Sequence, residues 1–283
     1  MNQDISDKPS SPDGNEIISA SQKESQTEEA HKSAKNTYGQ ILKSTALIGG
    51  SSVINIGIRI VRTKSMALIL GPSGVGLMGL YESIIDLTQS IVGMGINSSG
   101  VRQIAESVGS DDNTRIAKTA QVLQRTSIFL GLLGAVFLFG FSSQLSELTF
   151  GNDQHANGVA LLSLAVLLNQ LSAGQGALIH GMRRISDLAK MSILGTLFGT
   201  IISIPVVYFL HEEGIVLAII LIAVMGLVTT WWYKRKIILP AVPIIQSEIG
   251  QEQAALLKLG FAFMSSGLMV SGAAYVVRLL IVR

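Results

Sequence analysis

The residues best placed to do chemistry are ionisable groups inside long apolar runs. Asn55, Arg59 and Arg62 follow one another at spacings of four and three, so they share one helical face, with Lys64 just beyond. Glu82, Asp86, Gln89 and Gly93 repeat at four, three and four, which makes a second polar face carrying two carboxylates. Arg278 lies in a further apolar run near the carboxyl end. At membrane depth such groups turn to a bundle interior or a water-filled path and find partners there. Two chemistries stay open: structural ion pairs between helices, with snorkelling heads at an interface, or a hydrophilic cavity. In the cavity reading Arg59 and Arg62, with Lys64 and Arg278 behind them, meet an anionic substrate, because guanidinium offers paired contacts to phosphate oxygens. Glu82 and Asp86, with Gln89 on the same face, then pair with the cations or titrate and couple movement to an ion gradient. A third stripe, Asn169, Ser172, Gly176 and His180, reads as polar glue between helices.

Other patterns carry less. GPSGVGLMG (71–79) has the glycines of a phosphate-cradling loop but lacks the Lys-Ser/Thr that a Walker A loop needs, so turn chemistry accounts for it better. His31, His155, His180 and His211 are far apart and suggest no metal cluster. Cysteine is absent, which removes disulfides, thiolate zinc sites and a cysteine nucleophile. No cofactor site, nucleotide loop or nucleophile elbow is legible, and the chain does not read as an enzyme.

The elements that must position these groups are membrane helices. Of 283 residues, 48% are hydrophobic and 14% charged, against about 25% charged in a soluble domain. The mean hydropathy is +0.48. Residues 1–37 differ from the rest: rich in Ser, Glu, Gln and Lys, with a net charge of −3, they read as a disordered cytoplasmic tail. Seven stretches are then long and apolar enough to cross a bilayer, at roughly 43–62, 75–101, 127–145, 158–179, 190–210, 214–233 and 257–280. The first is expected to run on through 66–70 as a long tilted helix, and Pro205 to kink the fifth.

Loop charges orient the bundle. Arg102, Arg115, Lys118 and Arg125 fall between the second and third stretches, Arg183, Arg184 and Lys190 around the start of the fifth, and Lys234, Arg235 and Lys236 after the sixth. By contrast, 142–157 and 210–214 contain no Lys or Arg. The positive-inside rule places the basic loops and the amino terminus in the cytoplasm, with Arg62 and Lys64 as the exception near the outer side. These basic loops need no nucleic acid to explain them.

The seventh stretch echoes the first. With one residue inserted, Lys43 falls on Lys258, Ser51 on Ser266, Gly57 on Gly272 and Arg62 on Arg278. Internal repeats are common in transporters. The expected organisation is a six-helix lobe over 38–236, a cytoplasmic linker over 237–256, and the first helix of an incomplete second lobe over 257–283, on a chain that looks truncated.

Three passages carry a family resemblance: RTKSMALILGPSGVGLMGLYESIIDL (62–87), GMGINSSGVRQIAESVG (93–109) and GQGALIHGMRRISDLAK (174–190). They resemble the Wzx-type polysaccharide flippases, the O-antigen and lipid III (common-antigen) translocases of the MOP exporter superfamily. The resemblance implies an all-α, MATE-like exporter lobe in a bacterial inner membrane. Its implied cargo is an undecaprenyl-diphosphate-linked glycan, flipped by alternating access with the polyprenyl tail left among membrane lipid. Polysaccharide polymerase and chain-length regulator proteins are implied partners. Alternatives are a multidrug or peptidoglycan-precursor exporter of the same superfamily, a non-transporting membrane subunit, or a membrane-embedded glycosyltransferase, the last weakened by the lack of acidic clusters in large loops.

Overall fold

A computed structural model describes residues 14–110, 112–240 and 246–282, all of them helix, turn or irregular backbone. The chain divides into two compact units, 1–47 and 48–283. Within the first, residues 14–47 are helical. Of the expected disordered tail, 1–37, the first thirteen residues lie outside the described ones. Low apolar content argues against burial, but Ala, Glu, Gln and Lys are strong helix formers, so it does not argue against a helix.

The second unit is a helical bundle. Its first element belongs to α1 (Gly14–Val92), which is two helices merged across a break at Gly71. Gly71 has φ 72° and ψ −176°, a conformation open essentially to glycine alone, and Pro72 starts the next helical run. Residues twenty apart on a straight helix lie about 30 Å from each other, yet Arg62 and Glu82 are 3.3 Å apart. The chain therefore folds back at Gly71, and α1 supplies two antiparallel arms. GPSGVGLMG is the turn and first helical residues of the second arm, as turn chemistry predicts, and the first arm does run on through 66–70.

The second arm ends at Val92, short of the expected 101. Met94 and Gly95 both take positive φ, 43° and 61°, which stops the helix. The chain restarts as α2 (Ile96–Gly109), with Ile96, Ser99, Gly100, Ile104 and Ser107 on its buried face. Next comes α3 (Asn113–Gly140), capped by the Asp112 side chain, which accepts from the Thr114 and Arg115 amides at 2.9 and 3.0 Å. Its first turns carry charge and escape a reading based on hydropathy. The expected loop over 142–157 contains a short helix, α4 (Ser142–Phe150). Three further helices follow in order: α5 (Ala156–Gly181), α6 (Ile185–Leu210) and α7 (Gly214–Lys234), the last two joined by a 3-10 turn. α6 continues through Pro205 as one helix. The last element is α8 (Gln246–Val282). Residues 241–245 of the expected linker lie outside the described residues.

Four helical spans are long and apolar enough to cross a membrane among the described residues: Ser44–Val92, Asn113–Gly140, Ala156–Gly181 and Ile185–Lys234. The first and last each hold two helices, and a shorter apolar stretch, Gly267–Leu280, lies in α8. The main core joins the second arm of α1 to α5 and α7 through Met78, Tyr81, Ile84, Leu162, Ile215 and Ile219, among others. A second cluster joins Val92, Ile96, Ile104, Leu123 and Leu178. Small residues let the helices approach. A Cβ on Gly174 of α5 would overlap the Ser127 hydroxyl of α3, and one on Gly181 would overlap Ile104 of α2. Large apolar side chains such as Val53, Ile56, Phe129, Val136, Phe139 and Met269 remain exposed, the surface a bundle offers to lipid.

The bundle has chemically different ends. At one, Arg184 Nη1 donates to the Lys236 carbonyl at 3.3 Å and Lys234 Nζ donates to Gln124 Oε1, so the basic loops gather. At the other, Tyr81, Phe150 and His155 form a ring cluster, with Tyr81 Oη 3.0 Å from His155 Nδ1.

Candidate functional site

Polar groups collect on one face of the second arm of α1. Gly79, Glu82, Ser83, Asp86, Gln89, Ser90 and Gly93 recur at helical spacing. The stripe is about 21 Å long at 1.5 Å per residue. α8 lies along it in the opposite direction: Arg278 reaches Gly79 and Ser83, while Ser271 Oγ sits 2.7 Å from Ser90 Oγ. Because α1 folds back, α8 and the first arm of α1 run the same way, as the sequence echo between them requires.

Two cavities open along the stripe. The first, about 280 Å³, is lined by Arg62, Thr63, Met66, Gly79, Glu82 and Arg278, among others. Arg62 Nη2 donates to Glu82 Oε1 at 3.3 Å, and the Arg62 side chain is 15% exposed. Arg62 Nε is buried without a hydrogen-bond partner. Arg278 is held by neutral groups: its Nη1 donates to the Gly79 carbonyl at 3.0 Å and to Ser83 Oγ at 2.6 Å. Ser83 in turn donates to the same Gly79 carbonyl at 2.8 Å. Arg62 and Arg278, the two arginines superimposed by the sequence echo, thus line one cavity from different helices.

The second cavity, about 410 Å³, begins one turn further along the stripe and is lined by Asp86, Gln89, Asn97, Ser98, Gln170 and Ser271, among others. Of the residues singled out from sequence, Arg62, Glu82 and Arg278 come together in the first cavity, and Asp86 and Gln89 in the second. Arg59 is exposed and lines neither. Lys64 is exposed and lines neither cavity. Asn55, on the Arg59 face, donates instead to Ser192 of α6 at 2.8 Å. Of the third stripe, Ser172 of α5 meets Thr230 of α7 at 2.9 Å. Among the described residues no group of three His, Asp or Glu could hold a metal. Ser83, Asn97, Ser98, Gln170 and Ser271 were not legible as site residues, because Ser, Asn and Gln are common in these helices and their spacing marks nothing.

The sequence profile of the polysaccharide biosynthesis protein family matches residues 65–283. The chain belongs to that family. Family membership and its long apolar helices make it a multi-pass membrane protein. It is 26% identical over 168 residues to the lipid III flippases of Escherichia coli and Shigella flexneri, a match spanning 57% of this chain and 38% of each relative. The match therefore covers well under half the length of these curated relatives. A solved MOP superfamily transporter from Pyrococcus furiosus shares the fold, with a TM-score of 0.60 at 16% identity, over 80% of this chain and 52% of that one. The resemblance to Wzx-type flippases and the all-helical, MOP-type architecture read from the residues both stand.

Proposed function

We propose that this member of the polysaccharide biosynthesis family serves in flipping an undecaprenyl-diphosphate-linked oligosaccharide across the bacterial inner membrane, as a transporter and not as an enzyme. The observation that carries the reading is the meeting of Arg62 and Arg278, from two helices, in one cavity within an apolar bundle. A diphosphate crossing a low-dielectric core needs compensation, and guanidinium supplies it with paired donors. Arg278 has neutral hydrogen-bond partners, so its charge is open to an incoming anion. Arg62 is clasped by Glu82 until phosphate competes for it. Exchange of Arg62 between Glu82 and phosphate lets cargo be held and then released, while Asp86 balances the positive charge along the stripe.

In this reading 38–236 forms one lobe, α8 opens a second, and alternating access moves the lobes about the cavity. The polyprenyl tail stays in lipid. The gathering of Arg184, Lys234 and Lys236 at one end supports placing that end in the cytoplasm, with the amino terminus on the same side. Polymerase and chain-length regulator proteins would receive the cargo.

Cells lacking their own lipid-linked-glycan flippase test the reading. The chain, expressed with and without a second lobe taken from a lipid III flippase, is expected to restore surface glycan in at least one form, and Arg62→Gln with Arg278→Gln is expected to abolish the rescue without lowering membrane levels. Failure of both forms at normal membrane levels, or full rescue by the double variant, would refute it.

A further inference from the structure

Between α6 and α7 lies an apolar groove of about 270 Å³, walled by Leu194 and Phe198 on one helix and by Met225, Val228, Trp232 and Tyr233 on the other. The helices meet through small residues. A Cβ on Gly195 would come within 2.9 Å of Thr229 Oγ1 and 3.6 Å of the Gly226 Cα. Packing this close fixes the two walls relative to each other, so the groove is preformed. Thr229, also in the wall, already donates its hydroxyl to the Met225 and Gly226 carbonyls at 2.9 and 3.0 Å. The walls therefore suit an apolar occupant. Phe198, Val228 and Trp232 are exposed, which leaves the groove open to the membrane. It shares no wall residue with either polar cavity. Ser192, the residue that Asn55 of α1 reaches at 2.8 Å, lies about 200° around α6 from Leu194, so the groove faces away from that arm.

Cations gather at one mouth of this groove. Gly195 packs on Thr229 and Gly199 on Ile222, so α6 and α7 run antiparallel. Lys190, one turn before Leu194, and Lys236, four residues after Trp232, therefore fall at the same end. Lys236 Nζ stands 4.2 Å from the ring centre of Tyr233, a wall residue, and the Arg235 guanidinium lies 4.5 Å over Trp231. A cation held on a ring face keeps N–H donors for an oxygen anion. Within 183–210 and 214–236 Asp187 is the one carboxylate, and Arg184 pairs with it at 3.5 Å. An apolar slot thus opens beneath surplus positive charge. A prenyl or fatty alcohol leaves the cations unmet, a soluble anion leaves the slot empty, and a zwitterionic head brings its own ammonium against them. We infer that the groove binds an anionic glycerophospholipid of the surrounding bilayer, its phosphate at Lys190, Arg235 and Lys236 and one acyl chain along Phe198 and Met225. The inference stands on the groove's own chemistry and is independent of what the arginine cavity carries.

The chain's two tryptophans, Trp231 and Trp232, sit at this mouth and report on it directly. The full chain is placed in phosphatidylcholine nanodiscs that hold a minor fraction of one brominated lipid, whose bromine atoms quench tryptophan on contact. At equal mole fraction, brominated phosphatidylglycerol should outcompete brominated phosphatidylcholine by at least about fivefold in apparent affinity, the scale of one basic contact to an anionic lipid. Arg235→Gln with Lys236→Gln should abolish that preference, while Arg102→Gln with Arg115→Gln, in another basic region, should leave it. Leu194→Phe with Val228→Phe fills the groove, keeps every charge and should also remove most of the preference. Equal quenching by the two lipids in the unaltered chain overturns the inference, whatever the variants do. A preference that survives filling of the groove overturns it too, because the basic loops then only enrich anionic lipid nearby. So does relief of the quenching by undecaprenyl phosphate at lower concentration than by unbrominated phosphatidylglycerol, which would give the groove to a prenyl chain.

Discussion

Arg62 and Glu82 form an ion pair that is mostly but not fully withdrawn from solvent, with side chains 15% and 33% exposed. Removing one partner strands the other, while removing both leaves a neutral contact, so the single and double variants should differ in a telling way. We expect Glu82→Gln and Arg62→Gln each to lower thermal stability in detergent, and the double variant to fall short of their sum, with a coupling of about 1 kcal/mol. Additive effects would mean that the pair is not formed. For transport, Glu82→Gln should bind lipid diphosphate more tightly yet turn over more slowly, because nothing then competes with cargo for Arg62. Direct binding and flipping measured on the same preparation separate these two effects.

The same scale shows what the residues alone could reveal. The stripe of Glu82, Asp86, Gln89 and Gly93 was legible because carboxylates are rare in apolar helices and a spacing of three or four fixes their face. The partner of Arg62 was not legible, since Arg59, Arg62 and Lys64 sit within one and a half turns and only packing decides which turns inward. Of these, Arg62 lines the cavity, while Arg59 and Lys64 are exposed.

At the scale of elements, one residue makes the hairpin that brings Arg62 to Glu82. Gly71 holds φ 72° and ψ −176°, so Gly71→Ala should cost about 1–3 kcal/mol, read as a lower unfolding temperature together with weakened flipping. An unchanged unfolding temperature would contradict the strained hairpin. The contact of α3 with α5 offers a second check. Gly174→Ala places a methyl on the Ser127 side chain, an overpacking expected to cost about 1–3 kcal/mol, and Ser127→Gly should restore much of the loss. Hydropathy located the crossing helices well but placed the end of the second at 101, nine residues past Val92. The apolar content of 96–101 serves the buried face of α2 and does not continue the span. Likewise, Arg115 and Lys118 hid the first turns of α3, whose buried face is shared with Ile116, Ala117 and Ala120.

Across the whole molecule, charge and apolar surface are separated. Basic loops meet at one end, the Tyr81, Phe150 and His155 rings meet at the other, and exposed aliphatic side chains lie along the helices. The positive-inside rule then predicts the orientation. In intact cells an impermeant maleimide should label Asn152→Cys and Glu212→Cys but reach Ser110→Cys and Arg183→Cys only after the membrane is opened. The reverse pattern would invert the topology and with it the direction of cargo entry. What sequence could not supply at this scale is the course of α8. Its likeness to the first apolar stretch suggested a parallel repeat, but only the contacts of Arg278 with Gly79 and Ser83 and of Ser271 with Ser90 place it along the polar stripe.

The central claim is that Arg62 and Arg278 jointly bind a lipid-linked diphosphate. Binding of undecaprenyl diphosphate to the full chain in nanodiscs, for the wild type, each Arg→Gln variant and the double variant, tests it most directly. Each single loss should weaken binding by at least about tenfold, in line with about 1.4 kcal/mol per decade, and the double variant should bind no more tightly than it binds an uncharged polyprenol. Equal affinity of the wild type and the double variant for undecaprenyl diphosphate would contradict the account.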